Sequence, residues 1–204
     1  MQGVERAIHR FKDHGIEVYP YYAVSDSENY NLIAGREYFI ECSNALVGQK
    51  HNHLLQYAIQ DKWDFMLQLG SDDLLLDEAI DKIAVEMKKG VEFGAFQELW
   101  VANPKTREMK YHKSKQCFGA GRFFSRRVVD LVLQKKGVFW TPEKQRGLDG
   151  DSSRRVTQVT KLWPKVLDGA FGVDIKGKDN LNGWHKFQGS TVGWKELTPE
   201  MRLL

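Results

Sequence analysis

The sequence predicts a single domain of the α/β class, and three observations support this. The chain has 204 residues, of which 42% are hydrophobic and 28% charged, as in one soluble domain with a sizeable core. Over the first ninety residues, segments with helical spacing of apolar residues alternate with short strand-like apolar runs. This alternation is typical of a mainly parallel sheet with crossover helices. The second half adds a hairpin pattern, which predicts a small antiparallel portion.

The elements predicted for the first half are a helix, a strand, a helix, a strand and a helix, over residues 4–14, 16–24, 43–60, 63–69 and 75–89. The apolar run over 63–69 ends at an acidic turn, which favours a buried central strand. Folds of this kind usually open on a strand, whereas this chain opens on a helix. We therefore expect the first strand to be absent from this chain or supplied later in the sequence.

The second half predicts two strands of a hairpin, a third strand, a helix and a last strand, over residues 93–100, 109–113, 117–124, 125–136 and 166–175. Residues 139–155 are rich in proline, glycine and charge, which predicts a loop. The residues that follow the last strand predict a basic tail that could fold over a diphosphate.

Charge is distributed unevenly along the chain. Residues 1–100 carry 9 Lys and Arg against 17 Asp and Glu, whereas residues 101–204 carry 21 against 10. An acidic half can gather cations, and a basic half can meet phosphates or an anionic polymer. The alternative is that these charges are ordinary solvated surface.

Other features limit the class of protein. No apolar run approaches the roughly 18 residues of a membrane span, and the first residues lack the basic and apolar pattern of a signal peptide. Cys42 and Cys117 lie far apart and form no CxxC motif, which argues against a disulfide framework or a structural zinc site. We expect a cytoplasmic protein.

The strongest candidate site is the turn that contains Gly70, Ser71, Asp72 and Asp73, directly after the predicted strand. Ligands of open α/β sheets bind at the carboxyl ends of strands, and Mg²⁺ or Mn²⁺ takes one or two carboxylates together with substrate phosphates. The alternative is that an aspartate caps the following helix. Because one aspartate would suffice for a cap, the tandem pair favours a ligand.

Four further segments carry candidate residues. Asp26 follows a predicted strand, where a carboxylate could bind a nucleobase or ribose, although in isolation an ordinary polar turn is the better explanation. On the next helix, Lys50 could reach a phosphate and Asn52 could bond a base or backbone. We expect His51 there to be exposed and His53 half-buried. The other two segments are Gly119-Ala120-Gly121, where a substrate could approach the backbone, and the acidic loop with Asp149 and Asp151, suited to general-base chemistry.

The order of these features resembles the family 2 type of glycosyltransferase with the GT-A fold. The resemblance rests on Asp26 after a strand, Lys50 and Asn52 on the next helix, the Asp72 turn, the Gly119 segment, the Asp149 segment with Arg155, and a late histidine, His185. Two departures are visible: Gly70 stands in place of the first aspartate of the Asp-x-Asp motif, and Leu148 stands in place of a glutamate. The resemblance implies one GT-A-like domain with a donor half over residues 1–92 and an acceptor half over 93–204.

The resemblance also implies roles for these residues. Asp26, Lys50, Asn52, Ser71 and Arg155 would bind a nucleotide-diphosphate sugar. Mn²⁺ or Mg²⁺ would be held by Asp72, Asp73 and His185 and would neutralise the leaving diphosphate. Asp149, or else Asp151, would deprotonate the acceptor hydroxyl in an inverting transfer.

Two alternatives differ in class from a glycosyltransferase. The first is a non-catalytic module that binds nucleic acid or another anion through the basic half, with aromatic side chains interleaved for stacking: Trp100, Phe118, Phe123, Phe124, Trp140 and Trp163. The second is a catalytically inactive family member that binds a partner. The glycosyltransferase and anion-binding hypotheses can also be combined. A glycosyltransferase that acts on an anionic polymer or glycan, modified nucleic acid included, would use a basic acceptor half.

Overall fold

The computed structural model of the chain describes residues 2–25, 30–31, 33, 38–42, 46–169, 172–176 and 183–193. The helices are α1 (Gln2–Asp13), α2 (Val47–Ala58), α3 (Asp77–Lys88), α4 (Arg126–Lys136) and α5 (Leu148–Thr160), and a short 3₁₀ helix spans Trp184–Lys186. The strands are β1 (Tyr22–Val24), β2 (Phe39–Glu41), β3 (Phe65–Gln68), β4 (Asp73–Leu75), β5 (Phe93–Phe96), β6 (Glu98–Asn103), β7 (Glu108–Lys113), β8 (Arg122–Ser125), β9 (Lys165–Leu167), β10 (Gly172–Ile175) and β11 (Thr191–Gly193).

The predicted α/β class is confirmed, whereas a mainly parallel sheet is not. The strands form a parallel pair β1-β2, a four-stranded sheet in the order β3-β8-β5-β9 and a five-stranded sheet in the order β11-β7-β6-β10-β4. Both larger sheets are mixed, and antiparallel pairings outnumber parallel ones among the described strands. The strand predicted to be central, β3, lies at an edge of its sheet, because its described pairing is with β8 alone.

The four-stranded sheet lies between two layers of helices. Its side chains alternate between the two faces, and the apolar side chains of each face pack against a different set of helices. Phe123 and Phe96 belong to the core that contains α1 and α3, whereas their near neighbours Phe124 and Phe93 belong to the core that contains α4 and α5. A third, smaller core covers the five-stranded sheet around Met109 and Val173.

Most predicted elements are present, with shorter strands. The strand predicted over residues 93–100 is divided between β5 and β6, which lie in different sheets. The hairpin is formed by β6 and β7, whose register pairs Asn103 with Glu108. The last strand predicted over residues 166–175 is two strands, β9 and β10, in different sheets. Residues 139–155 are not wholly a loop, because α5 begins at Leu148 after Gly147, which has φ 68°. None of the helices in the described part of the chain is long and apolar enough to cross a membrane.

Strands of the two halves pair with each other. β3 pairs with β8, and β4 pairs with β10, so segments about 55 and 100 residues apart lie side by side. This pairing brings the acidic turn after β3 next to residues from the end of the chain. Candidate site residues from both halves therefore lie near one another.

A close approach at Gly94 sets a limit on packing within the four-stranded sheet. A Cβ atom added at this buried strand position would overlap the ring of Phe123. We expect Gly94→Ala to lower the free energy of unfolding by about 1–3 kcal/mol, as overpacking does, in urea titrations followed by circular dichroism. The matched control is Gly193→Ala in β11, where an added Cβ meets nothing within 4 Å. Equal stability of the two variants would contradict this account of the core.

Candidate functional site

The acidic turn joins β3 to β4 and is held by its own backbone. The N–H of Gly70 donates to Asp73 Oδ2 at 2.8 Å, and the N–H of Asp73 donates to the Gly70 carbonyl at 3.1 Å. Neither aspartate caps the following helix, since α3 begins at Asp77 and its N-cap residue is Leu76. The capping alternative is therefore wrong. Ser71 is exposed within the turn.

Strand β10 brings a third carboxylate and a lysine to this turn. Asp174 is paired with Asp73 in the register of β10 and β4. Lys176, just beyond β10, places its Nζ 2.5 Å from Asp174 Oδ1 and 3.7 Å from Asp72 Oδ2, and its side chain is only 6% exposed. We call Asp72, Asp73, Asp174 and Lys176 the acidic cluster. No pattern in the sequence points to Asp174 or to Lys176 individually.

Burial and the crowding of carboxylates raise the pKa values of two members of the acidic cluster. Burial raises the pKa of Asp73 to about 7, and the charges of Asp72, Asp174 and Asp149 add to the rise, against the hydrogen bond from Gly70. Burial also raises the pKa of Asp174, although the ion pair with Lys176 opposes this. Asp73 thus holds a proton for part of the time at neutral pH.

Asp149 faces a cleft beside the acidic cluster. It lies in the first turn of α5, and its side chain is 44% exposed. The cleft has a volume of about 200 Å³ and is lined by Val47, His51, Gln68, Gln145, Arg146, Gly147, Leu148 and Asp149. Of the candidate carboxylates, Asp149 is the one that lines this cleft. The prediction that it is available for chemistry is consistent with its place there.

A buried arginine fixes the position of Asp149. Arg122 in β8 is fully buried and donates to the Asp149 carbonyl at 2.5 Å, to Ser152 Oγ at 2.8 Å and to the Cys117 carbonyl at 2.7 Å. Its guanidinium is also 4.0 Å from Asp149 Oδ1. On the other side, Gly119 lies so close that a Cβ there would overlap Asp149 Oδ1. Gly119 was expected to let a substrate approach the backbone. In the structure, the Asp149 carboxylate occupies the space beside Gly119.

Asp151 is buried and paired, which disfavours the alternative that it acts as the base. Its carboxylate is 4% exposed and accepts a hydrogen bond from the Thr141 N–H at 2.7 Å. It also pairs with Lys144 at 3.2 Å, Arg155 at 3.4 Å and Arg154 at 3.8 Å. Burial opposes ionisation, but these hydrogen bonds and cations lower its pKa below the ordinary value. A carboxylate with all its partners in place is poorly suited to take a proton from a substrate.

The residues predicted to bind a donor divide into several groups. Lys50 donates from Nζ to Ser25 Oγ at 2.9 Å, so it lies beside the segment that leads to Asp26, and Asp26 itself lies outside the described residues. Asn52 is buried and its side chain bonds the backbone of Phe139 and Trp140 at 2.8–3.1 Å, so it holds this loop and does not face a ligand. Arg155 is likewise directed to Thr141 and Asp151.

The two neighbouring histidines of α2 have the reverse of their expected environments. His53 is exposed, whereas His51 is partly buried, lines the cleft and packs its ring 5.0 Å from that of Trp140. Burial lowers the pKa of His51, with Lys50 adding to this effect and Asp149 opposing it. A neutral imidazole in the cleft can accept or donate a hydrogen bond at neutral pH.

The predicted metal ligands do not fit a divalent cation as they stand. Lys176 already lies between Asp72 and Asp174, and Asp73 is tied to the Gly70 N–H. His185 is exposed on the 3₁₀ helix, beside Trp184, whose ring lies under Lys110 of β7. Across the described ranges, no three His, Cys, Asp or Glu side chains form a group that could hold a metal ion.

No protein-family model matches the chain, and no curated protein matches its sequence.

The raised pKa of Asp73 predicts that replacing its carboxyl group increases the stability of the protein more at high pH than at low pH. A carboxyl with pKa about 7 in the folded protein and 3.8 ordinarily favours folding below pH 4, and this contribution is lost as pH rises through 7. Asp73→Asn stays neutral and can still accept from Gly70. We expect it to be more stable than the wild type at pH 8, by about 1–2 kcal/mol after allowance for partial exposure, and by much less at pH 5.

This prediction is checked by melting temperatures between pH 5 and 8. The control is Asp168→Asn, an exposed carboxylate outside the acidic cluster. A difference between Asp73→Asn and the wild type that does not grow with pH would contradict the raised pKa.

Asp151 and Asp149 should differ in their effects on stability. Removal of the Asp151 carboxylate leaves Lys144 and Arg155 without a common partner and breaks a buried hydrogen bond. We expect Asp151→Ala to cost about 2–4 kcal/mol and Asp149→Asn less than about 1 kcal/mol, in urea unfolding at pH 7. Similar losses for both variants would show that Asp149 is also held structurally.

Proposed function

We propose that this chain is a glycosyltransferase that moves a sugar from a nucleotide-diphosphate sugar to an acceptor hydroxyl, with inversion. The observation that carries the proposal is the position of Asp149. It is a partly exposed carboxylate that lines a cleft, is anchored by Arg122 and lies near the acidic turn after β3. The order of motifs along the chain supports the same activity.

The proposed roles follow from these positions. Asp149 would accept the proton of the acceptor hydroxyl as that oxygen attacks the anomeric carbon, while the bond from this carbon to the diphosphate breaks. His51 and Gln68 line the same cleft and would hydrogen-bond the sugar. Arg146 also lines it and would meet the negative charge of the diphosphate.

The size of the cleft indicates how a donor would lie. A volume of about 200 Å³ is below the roughly 300–1,000 Å³ of sites that enclose a drug-sized ligand. The cleft therefore suits the sugar and not the whole donor. The nucleotide would extend past Lys50, the residue next to His51, where Lys50 donates to Ser25 at 2.9 Å.

The burial of aromatic side chains argues against a polynucleotide-binding module. Phe123 and Phe124 are fully buried and Trp140 is 3% exposed, so they cannot stack on bases. Trp163 is 79% exposed, whereas Trp100 and Phe118 are half-buried. Several basic residues of the second half are also paired, as in Arg127 with Glu92 and Lys113 with Glu98.

The donor is identified first by thermal shift with nucleoside diphosphates and nucleotide sugars. A ligand at 100 times its Kd adds roughly 2.7 kcal/mol to stability. We then expect Asp149→Asn to lower turnover of that donor by about 10²–10⁴-fold, measured as release of nucleoside diphosphate, with its melting temperature unchanged. Glu98→Gln removes a carboxylate that is paired with Lys113 and does not line the cleft, so this control should keep full turnover.

Two results would overturn parts of this proposal. Full turnover by Asp149→Asn would exclude Asp149 as the base. If no nucleotide or nucleotide sugar stabilises the wild type, while a polynucleotide binds with a steep salt dependence, the binding-module reading would replace the glycosyltransferase.

A further inference from the structure

Lys176 occupies an unusual position for a lysine. Its side chain is 6% exposed, and lysines are almost never buried unless paired. Its backbone N–H donates to the Ala102 carbonyl at 2.8 Å, which fixes the residue at the end of β10. The ammonium lies 5.5 Å from the centre of the Phe187 ring. The residue is therefore held in place by its backbone and by its surroundings, with the charge directed into the acidic cluster.

The ammonium lies where two carboxylates from different strands converge. Asp174 belongs to β10, and Asp72 directly precedes β4, the strand that pairs with β10. The N–H of Ile175 donates to the Asp72 carbonyl at 2.8 Å, which holds the two segments together. A convergence of one or two carboxylates is also what Mg²⁺ or Mn²⁺ requires from a protein. The Lys176 ammonium and a divalent ion bound to the same two carboxylates would repel each other strongly. The two cations therefore exclude each other from the cluster.

Gly70 stands where the Asp-x-Asp motif has its first aspartate, and glycine has no side chain that could bind a metal. A Cβ atom at Gly70 would lie 2.7 Å from Asp73 Oδ2 and 3.0 Å from Asp72 Oδ1, so a longer side chain would require these two carboxylates to move. In the folded turn, glycine is the residue that lets the Asp73 carboxylate reach the Gly70 N–H. The loss of the first motif aspartate and the presence of Lys176 are thus consistent with each other.

We propose that Lys176 is a built-in cation that takes the place of a divalent metal in the acidic cluster. The ammonium neutralises Asp72 and Asp174, and no metal ion binds there in the wild-type chain. If the chain is the glycosyltransferase proposed above, a consequence that rests on that function follows: donor binding and turnover proceed in the presence of a chelator.

Removal of Lys176 tests this proposal, because it should convert the cluster into a metal site. Lys176→Ala leaves the carboxylates of Asp72 and Asp174 facing a space once filled by a cation. Lys176→Gln keeps the length of the side chain and adds an amide oxygen, which is also a ligand for hard cations. We expect both variants to melt at a lower temperature than the wild type without metal and to regain stability in millimolar Mn²⁺.

The direct measurement is a titration with MnCl₂ alone, followed by the electron paramagnetic resonance signal of free Mn²⁺. We expect at least tenfold tighter Mn²⁺ binding by Lys176→Ala or Lys176→Gln than by the wild type, and loss of that gain when Asp72→Asn is added. The matched control is Lys113→Ala, which breaks a lysine–carboxylate pair of similar length, 2.6 Å, on the same sheet. It should bind no more Mn²⁺ than the wild type.

Two outcomes would overturn the proposal. One is Mn²⁺ binding by the wild type that Asp72→Asn abolishes, since it would mean that a metal displaces Lys176. The other is the absence of any gain in both Lys176 variants when circular dichroism shows that they are folded. Because the titration uses no nucleotide sugar, these outcomes are separate from a failure of the proposed activity, which the donor screen measures.

Discussion

The buried guanidinium of Arg122 is the interaction on which the site depends. A buried charge is costly unless it is paired and hydrogen-bonded. Here the two terminal nitrogens of Arg122 donate to the carbonyls of Asp149 and Cys117 and to the hydroxyl of Ser152, while Nε has no partner among the described residues. These groups come from the loop before β8 and from the start of α5. One side chain therefore joins a strand, a loop and a helix, and the place of the Asp149 carboxylate at the cleft follows from that connection.

Two carboxylates in the same turn of α5 acquire different roles from their surroundings. Asp151 points to the loop before the helix and is enclosed by the Thr141 N–H, Lys144 and Arg155. Asn52 of α2 holds the same loop at Trp140, the residue next to Thr141. With the loop fixed by these two residues, Asp149 can remain partly open. The chemistry proposed for one aspartate thus depends on the structural role of the other.

Local patterns predicted what local physics determines. Periodicity located α1, α3, α4 and the β6–β7 hairpin, because each depends on neighbours in sequence. It did not predict that β3 pairs antiparallel with β8, since that contact joins residues about 55 positions apart. It also missed the start of α5, where Gly147 in a left-handed conformation precedes the helix and no side chain supplies a cap. The Asp72 turn was found from sequence, whereas its neighbours Asp174 and Lys176 were not, because β10 reaches it only through the fold.

The uneven charge of the chain takes on another meaning in the folded protein. An acidic first half and a basic second half suggested separate partners, a cation for one and a phosphate for the other. In the structure, some cations of the second half form ion pairs with carboxylates of the first half: Lys176 pairs with Asp72, and Arg127 pairs with Glu92. In the proposal above, Lys176 of the second half supplies the positive charge that a metal would otherwise bring to the acidic cluster. The same reasoning leaves Arg146 at the cleft, and not the buried or paired cations, as the charge best placed for an anionic ligand.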